Sequence, residues 1–227
     1  MISVCPPAYA VIVAGGSGSR VGSALPKQFL ELRGKPILYY SILAFIDALP
    51  GVHIVLVLPE GHMGRAQDAL QGIKGAASVR TVAGGATRYA SVAAGLKEVP
   101  SEAIVLVHDG ARPLVTPELI LRCYEGARIH GSAIPVVPVA DSIRQLTAEG
   151  SRIIDRDDLR SVQTPQAFRA GLLQAAFRQP YQPAFTDEAS VVESMGGAIH
   201  LVEGARSNLK ITTPEDLVIA EALLARC

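Results

Sequence analysis

Tryptophan is absent from the 227 residues, and aromatics in total make up only 5% of them. Val, Ile, Leu and Ala must therefore fill the core, and with 49% of the residues hydrophobic there is enough apolar surface for a sizeable one. Cysteine is scarce too. Cys5, Cys123 and Cys227 are odd in number, far apart and without metal-ligand spacing, which argues against a disulfide framework or zinc site and for a reducing compartment. Neither sign of charge is in surplus, since 21 Lys plus Arg balance 21 Asp plus Glu. A nucleic-acid binder usually carries a basic excess, so that class is disfavoured, while a local cationic pocket is still allowed. No apolar run approaches the roughly 20 residues of a membrane helix. The N-terminus lacks the charged and then apolar segments of a secretory signal. These absences lead us to expect a cytoplasmic protein with no nucleic-acid or membrane partner.

What is present is an alternation. Short β-branched runs at 9–13, 52–58, 78–82 and 103–107 have apolar character on both faces. Between them, 36–49, 64–72 and 87–97 have helical spacing. Buried strands separated by helices imply parallel pairing, because each crossover helix covers a sheet face. The expected fold is an α/β, open, doubly wound, mostly parallel Rossmann-like sheet. Pro36, Pro117 after Thr116 and Pro214 after Thr213 suit first helical positions, and Thr213 to Asp216 is close to a capping box. The stretch 133–139 reads as a strand whose two prolines suggest an edge or an exit from the sheet. One polar segment breaks the alternation. Residues 142–146 and 151–155 around the turn 147–150 read as an inserted β-hairpin within a single domain spanning 1–227. A hairpin alone is marginal in water, so this 140–157 arm needs something to pack on, and a partner subunit is the economical candidate.

The strongest local signal follows the first run: Ala14-Gly15-Gly16-Ser17-Gly18-Ser19-Arg20, continuing to Pro26-Lys27-Gln28. Glycines leaving a strand let backbone N–H groups approach phosphate oxygens without a Cβ in the way, and Arg20 and Lys27 add two cations. A Walker A loop needs Lys-Ser/Thr after its second spaced glycine, which is not found here. A dinucleotide fingerprint starting at Gly16 needs Gly or Ala where Val21 stands. That failure also undoes a nicotinamide dehydrogenase. Gly84-Gly85, with Ser91 further on, fits either a loop that holds a flat base edge or a plain loop-to-helix junction.

After the fourth run stands His108-Asp109-Gly110-Ala111-Arg112-Pro113. In an open parallel sheet ligands lie beyond the carboxyl ends of the strands, so Asp109 and the first glycine loop are expected in one crevice. Mg²⁺ takes one or two carboxylates plus substrate phosphates, which suits Asp109; a capping or turn role is the alternative. Arg112 could pair with Asp109 or meet a substrate phosphate. His108, at a strand end, reads as structural. Thr186 suits the N-cap of a 187–195 helix, and Lys210, in an apparent apolar strand, is costly unless an anion meets it.

These segments, with Asp155-Arg156, Thr164-Pro165-Gln166, Thr186 to Ser190 and Asn208-Leu209-Lys210, lie in order across nearly the whole chain. Together they resemble the 2-C-methyl-D-erythritol 4-phosphate cytidylyltransferase family of the non-mevalonate isoprenoid pathway. The resemblance implies a nucleotidyltransferase-type sheet and transfer of CMP from CTP to the polyol phosphate, with Mg²⁺ as cofactor. By its matches, Arg20 and Lys27 are catalytic cations. Ala14, Gly15, Gly16 and Gly18 belong to the nucleotide's phosphate loop, and Gly84, Gly85 and Ser91 to its cytosine loop. Asp109 matches the metal ligand and ribose-side carboxylate, while Arg112, Thr186 and Lys210 match the acceptor site. Arg156 and Ser142 match arm positions that reach a neighbour's pocket, which implies a homodimer through 140–157. The Ala14-Gly15-Gly16 form also occurs in related sugar and pentitol nucleotidyltransferases, so ribitol 5-phosphate is the alternative acceptor.

The implied nucleophile is the acceptor's own phosphate, already ionised at neutral pH. No general base is needed, only positioning and charge neutralisation between two anions.

Overall fold

The computed structural model describes residues 5–15 and 26–225. Gly16, Gly18, Arg20 and Cys227 lie outside the described residues.

The four β-branched runs form β1 (Ala8–Val13), β4 (His53–Leu58), β5 (Val79–Ala83) and β6 (Ile104–Asp109), all parallel. Between β1 and β4, two-residue strands β2 (Glu31–Leu32) and β3 (Lys35–Pro36) make a small ladder of their own. The later strands are β7 (Ser132–Pro138), β8 (Ile143–Thr147), β9 (Gly150–Ile154), β10 (Arg160–Val162), β11 (Gln166–Arg169) and β12 (Leu201–Glu203). The main sheet runs β10-β7-β11-β6-β1-β4-β5, with β12 also paired to β7. β11 is antiparallel to both β6 and β7. Strand order moves from β1 out through β4 to β5, then returns to β6 on β1's other side. This reversal is the switch point at which such sheets open a crevice.

Helices cover both faces. Alternate β1 residues divide between them: Ala10 and Ile12 point to the face packed by α1 (Ile37–Ala48), α2 (Ala66–Leu70) and α4 (Pro117–His130). Val11 and Val13 point to that of α3 (Arg88–Leu96), α5 (Ala170–Ala176) and α6 (Glu188–Glu193). The last helix, α7 (Pro214–Leu224), packs Ala220 with Leu32 and Ile37 in a third, smaller cluster. Thr213 and Asp216 form its capping box, and Pro117 follows an N-capping Thr116 in α4.

Four expectations need correction. Pro36 is not the first helical residue of α1: it pairs with Glu31 in β3 and precedes the helix as its N-cap. The expected 64–72 helix is shorter, because Glu60–Arg65 is wound as 3-10 helix and Gly72 lies at φ 84 just past the end. β7 is not an edge strand, since Val136 pairs with both Val162 and Glu203; its prolines are accommodated where β10 and β12 supply only short ladders. Thr186 does not cap α6. Asp187 does, in a capping box with Ser190.

The inserted hairpin exists as β8 and β9, joined by the two residues Ala148 and Glu149. Leu146 is 84% exposed and Ile153 72%. The pairings Arg144–Ile153 and Leu146–Ser151 put both on one face of the ribbon.

Candidate active site

Val13 and Asp109 are register partners at the carboxyl ends of β1 and β6. The crevice beyond them holds a cavity of about 360 Å³ whose lining includes Gly15, Lys27, Gly85, Asp109 and Lys210. Ala14 and Ser91 also face it. A second cavity of about 220 Å³ shares Asp109 and Lys210 with the first, and adds Arg112, Thr164 and Thr186. Residues from widely separated stretches therefore meet at Asp109, on the boundary of two adjoining spaces.

Each element delivers its side chain for a local reason. Lys27 opens a single 3-10 turn, Lys27–Phe29, that is anchored by burying Phe29 and Gln28. Gln28 Nε2 donates to the Ala14 carbonyl at 2.5 Å, tying this turn to the end of β1. Lys27 Nζ donates to the Ile211 carbonyl at 2.8 Å, which links the turn to the segment before α7. In the Gly84-Gly85 loop, Ser91 Oγ accepts from Gly85 N at 3.2 Å and donates to the Thr87 carbonyl at 2.9 Å. Both glycines are required by close approach. A Cβ at Gly85 would fall 2.5 Å from that of Ala90, and one at Gly84 would fall 2.8 Å from Ser91 Oγ. Ser91 is thus a brace within the loop, and Gly85 rather than Gly84 lines the cavity.

Asp109 is the electrostatic centre. Its Oδ1 accepts from Arg88 Nε at 3.1 Å, its Oδ2 from Lys210 Nζ at 2.7 Å, and Arg112 Nε stands 4.0 Å from Oδ2. Burial alone would raise its pKa, but the charges of Arg88 and Lys210, with Arg112 adding, hold the carboxyl well below the usual range. It is an anion at any physiological pH. Lys210 is not in a strand, contrary to expectation: the 205–213 segment is irregular, and the anion that meets the lysine is Asp109 itself.

Arg112 Nη1 donates to the Asn208 carbonyl at 2.7 Å. Among the described residues, Arg112 Nε and Asn208 Oδ1 are the buried side-chain atoms without a hydrogen-bond partner. Such atoms are uncommon in folded proteins; Arg112 lines the second cavity, and Asn208 lies behind it, bonded to the lining residues Arg112 and Thr164. Thr186 lines that cavity while itself exposed. Ser142 and Arg156 line neither cavity of this chain; both are exposed at the base of the hairpin, with Arg156 Nη1 bonded to the Ala140 carbonyl at 2.6 Å.

His108 is fully buried, with Nδ1 3.1 Å from Thr164 Oγ1 and Nε2 3.3 Å from the Arg112 carbonyl. Burial pushes its pKa down to about 4, so it is a neutral structural group, as its strand-end position suggests.

Sequence reasoning assigned no role to two charged residues here. Arg88 Nη1 and Nη2 reach Glu188 Oε1 and Oε2 at 2.5 and 3.0 Å while its Nε holds Asp109. Glu188 is 0% exposed. A signal was present: an arginine at the first position of α3 opposes the helix dipole, which calls for a nearby carboxylate. Asn208, also buried, ties the Thr164 carbonyl to the Arg112 segment, a role that its place beside Lys210 in the sequence does not signal.

Among the described residues, no group of three His, Cys, Asp or Glu side chains could hold a metal, and no helix is long and apolar enough to cross a membrane. A single ionised carboxylate beside a cavity lined by Lys27, Arg88 and Lys210 does fit Mg²⁺, whose remaining ligands come from phosphates and water.

An open α/β sheet with a cation-rich crevice around one carboxylate at its switch point is the architecture of a nucleotide-binding protein. The family model of 2-C-methyl-D-erythritol 4-phosphate cytidylyltransferase matches residues 8–226, and the chain belongs to that family. It is 46% identical over 216 residues to the enzyme of that name from Phocaeicola vulgatus, covering 95% of this chain and 99% of the relative. It is 47% identical over 214 residues to the one from Bacteroides thetaiotaomicron, covering 94% and 98%. The crystal structure of the Thermus thermophilus enzyme superposes with a TM-score of 0.79 at 35% identity, covering 98% of this chain and all of that one.

Proposed function

We propose that this chain transfers CMP from CTP to 2-C-methyl-D-erythritol 4-phosphate, releasing pyrophosphate and giving 4-diphosphocytidyl-2-C-methyl-D-erythritol for isoprenoid precursor synthesis. The observation that carries this reading is the meeting of Lys27, Asp109 and Lys210 around one cavity in a member of this family. The larger cavity takes the nucleotide: Ala14 and Gly15 approach its phosphates, and Gly85 with the braced Ser91 loop faces its base. The smaller takes the acceptor, with Arg112 and Thr186 lining it and Lys210 on the shared wall.

An oxygen of the acceptor phosphate attacks the α-phosphorus of CTP. The α–β bridging oxygen leaves with pyrophosphate, and no proton has to move. Lys27, with Arg20 seven positions before it in sequence, neutralises the triphosphate, while Arg112 and Lys210 neutralise the incoming phosphate. With two anions in contact, charge neutralisation and in-line placement lower the barrier. Asp109 would hold Mg²⁺, which supplies further neutralisation of phosphate charge when bound. Neutral His108 takes no proton.

The chain acts as one domain from 1 to 227 in a homodimer through its 140–157 arm. The exposed Leu146 and Ile153 face supports this, because a lone hairpin has nothing of its own to bury them against. In that dimer Arg156 and Ser142 serve the neighbouring acceptor site. A reducing cytoplasmic setting fits the free thiols of Cys5 and Cys123.

Pyrophosphate release with CTP, Mg²⁺ and a panel of polyol phosphates tests the reading. Turnover is expected with 2-C-methyl-D-erythritol 4-phosphate. Preference for ribitol 5-phosphate would reassign the acceptor, and no release with any acceptor would reject the transferase.

A further inference from the structure

Glu188 lines neither cavity, yet it is charged and its carboxylate is 0% exposed. A buried carboxylate is costly unless it is paired and hydrogen-bonded. Its partner is Arg88, which grips both carboxylate oxygens through Nη1 and Nη2. This two-point grip fixes the plane of the guanidinium in a way that lysine could not reproduce. The third contact then follows from geometry, because Nε of the fixed plane meets Asp109 Oδ1 at 3.1 Å.

The arrangement also settles charge. Arg88 carries a full positive charge, as a guanidinium does throughout the pH range of folded proteins. Burial pushes the Glu188 carboxyl up while the Arg88 guanidinium pulls it down; ionised in the two-point grip, it makes the pair neutral overall. Arg88 can therefore orient Asp109 without adding an uncompensated positive charge to those of Lys210 and Arg112, which already stand beside it.

We infer that Arg88 is a positioning residue for Asp109, and that buried Glu188 both holds Arg88 in place and offsets its charge, keeping Asp109 available to a divalent cation. The inference rests on the proposed function, in which Asp109 meets Mg²⁺ beside the nucleotide.

The test uses the full-length protein and two readouts: calorimetric CTP binding as a function of Mg²⁺ concentration, and turnover. In Glu188→Gln the guanidinium charge is no longer offset and competes for Asp109. The Mg²⁺ concentration at half-maximal CTP binding should rise about fivefold or more, given the strength of one unbalanced charge at contact distance. Adding Arg88→Gln removes that competing charge, so the double variant should return to within about twofold of the wild type in Mg²⁺ dependence. It should still lose about tenfold in kcat, because Asp109 is no longer oriented. A purely structural pair would give no such recovery.

An unchanged Mg²⁺ dependence in folded Glu188→Gln would overturn the inference, as would a double variant no better than the single. If Glu188→Gln fails to fold, the double variant carries the test alone, because it removes both charges of the Arg88–Glu188 pair together. There, wild-type kcat would overturn the inference. CTP binding by the wild type that is indifferent to Mg²⁺ would instead bring down the metal reading of Asp109, a distinguishable failure.

Discussion

Lys210 Nζ lies 2.7 Å from Asp109 Oδ2, a contact spanning 101 positions of sequence. The lysine side chain is 39% exposed and the aspartate side chain 11%, so this is a half-buried pair and not a surface contact. Its value is positional. It brings the segment before α7 to the ends of β1 and β6, and places a cation on the wall shared by both cavities.

Lys27 should be the most sensitive described residue. Lys27→Ala is expected to lower kcat about 100-fold or more, as removal of a donor from a developing oxyanion does, with little change in the thermal unfolding midpoint. Steady-state pyrophosphate assays check this. A near-wild-type rate would remove Lys27 from the mechanism.

Arg156 is exposed at the base of the hairpin and away from this chain's own cavities. Arg156→Ala should raise KM for the acceptor about tenfold, the scale of one charged contact, and leave CTP affinity unchanged. Leu146→Asp should shift the protein toward monomer in sedimentation and raise the same KM. If Arg156→Ala instead abolished CTP binding, the arm would not serve the acceptor.

Much of the frame was legible in the sequence. The runs forming β1, β4, β5 and β6 stand within two residues of their observed bounds, because buried parallel strands such as β1, β4 and β6 are continuous apolar runs, although β5 at the sheet edge is not buried on both faces. Asp109 was locatable because a strand end at a switch point is fixed by topology. The Arg88–Glu188 pair was not, since its halves lie 100 residues apart and neither belongs to a phosphate-loop pattern. Lys210 looked like a strand residue because Leu209 and Ile211 flank it with apolar side chains. In the structure the backbone there is irregular, and Ile211 N bonds to the Ala111 carbonyl. Proline misled in β7, where partners on both sides tolerate Pro135 and Pro138.

The buried His108 predicts an acid limb in stability. Its folded pKa of about 4 lies below the ordinary 6.5, so between these values the unfolded chain binds a proton that the folded one does not. Stability therefore falls as pH drops from about 6.5 toward about 4, by about 3 kcal/mol in all from this group. Urea unfolding across that window measures it, and His108→Gln should flatten the slope. Turnover should show no inflection assignable to His108 near pH 6.5, since it stays neutral when folded; a histidine-dependent limb there would reinstate it as a base.

The central claim is that the acceptor's own phosphate is the nucleophile, drawn by cations from both ends of the chain. Acceptor carrying ¹⁸O in the non-bridging oxygens of its phosphate, turned over with unlabelled CTP and Mg²⁺, should yield a diphosphate with ¹⁸O in the bridge by ³¹P NMR and pyrophosphate with none. Label in the pyrophosphate, or an unlabelled bridge, would contradict it.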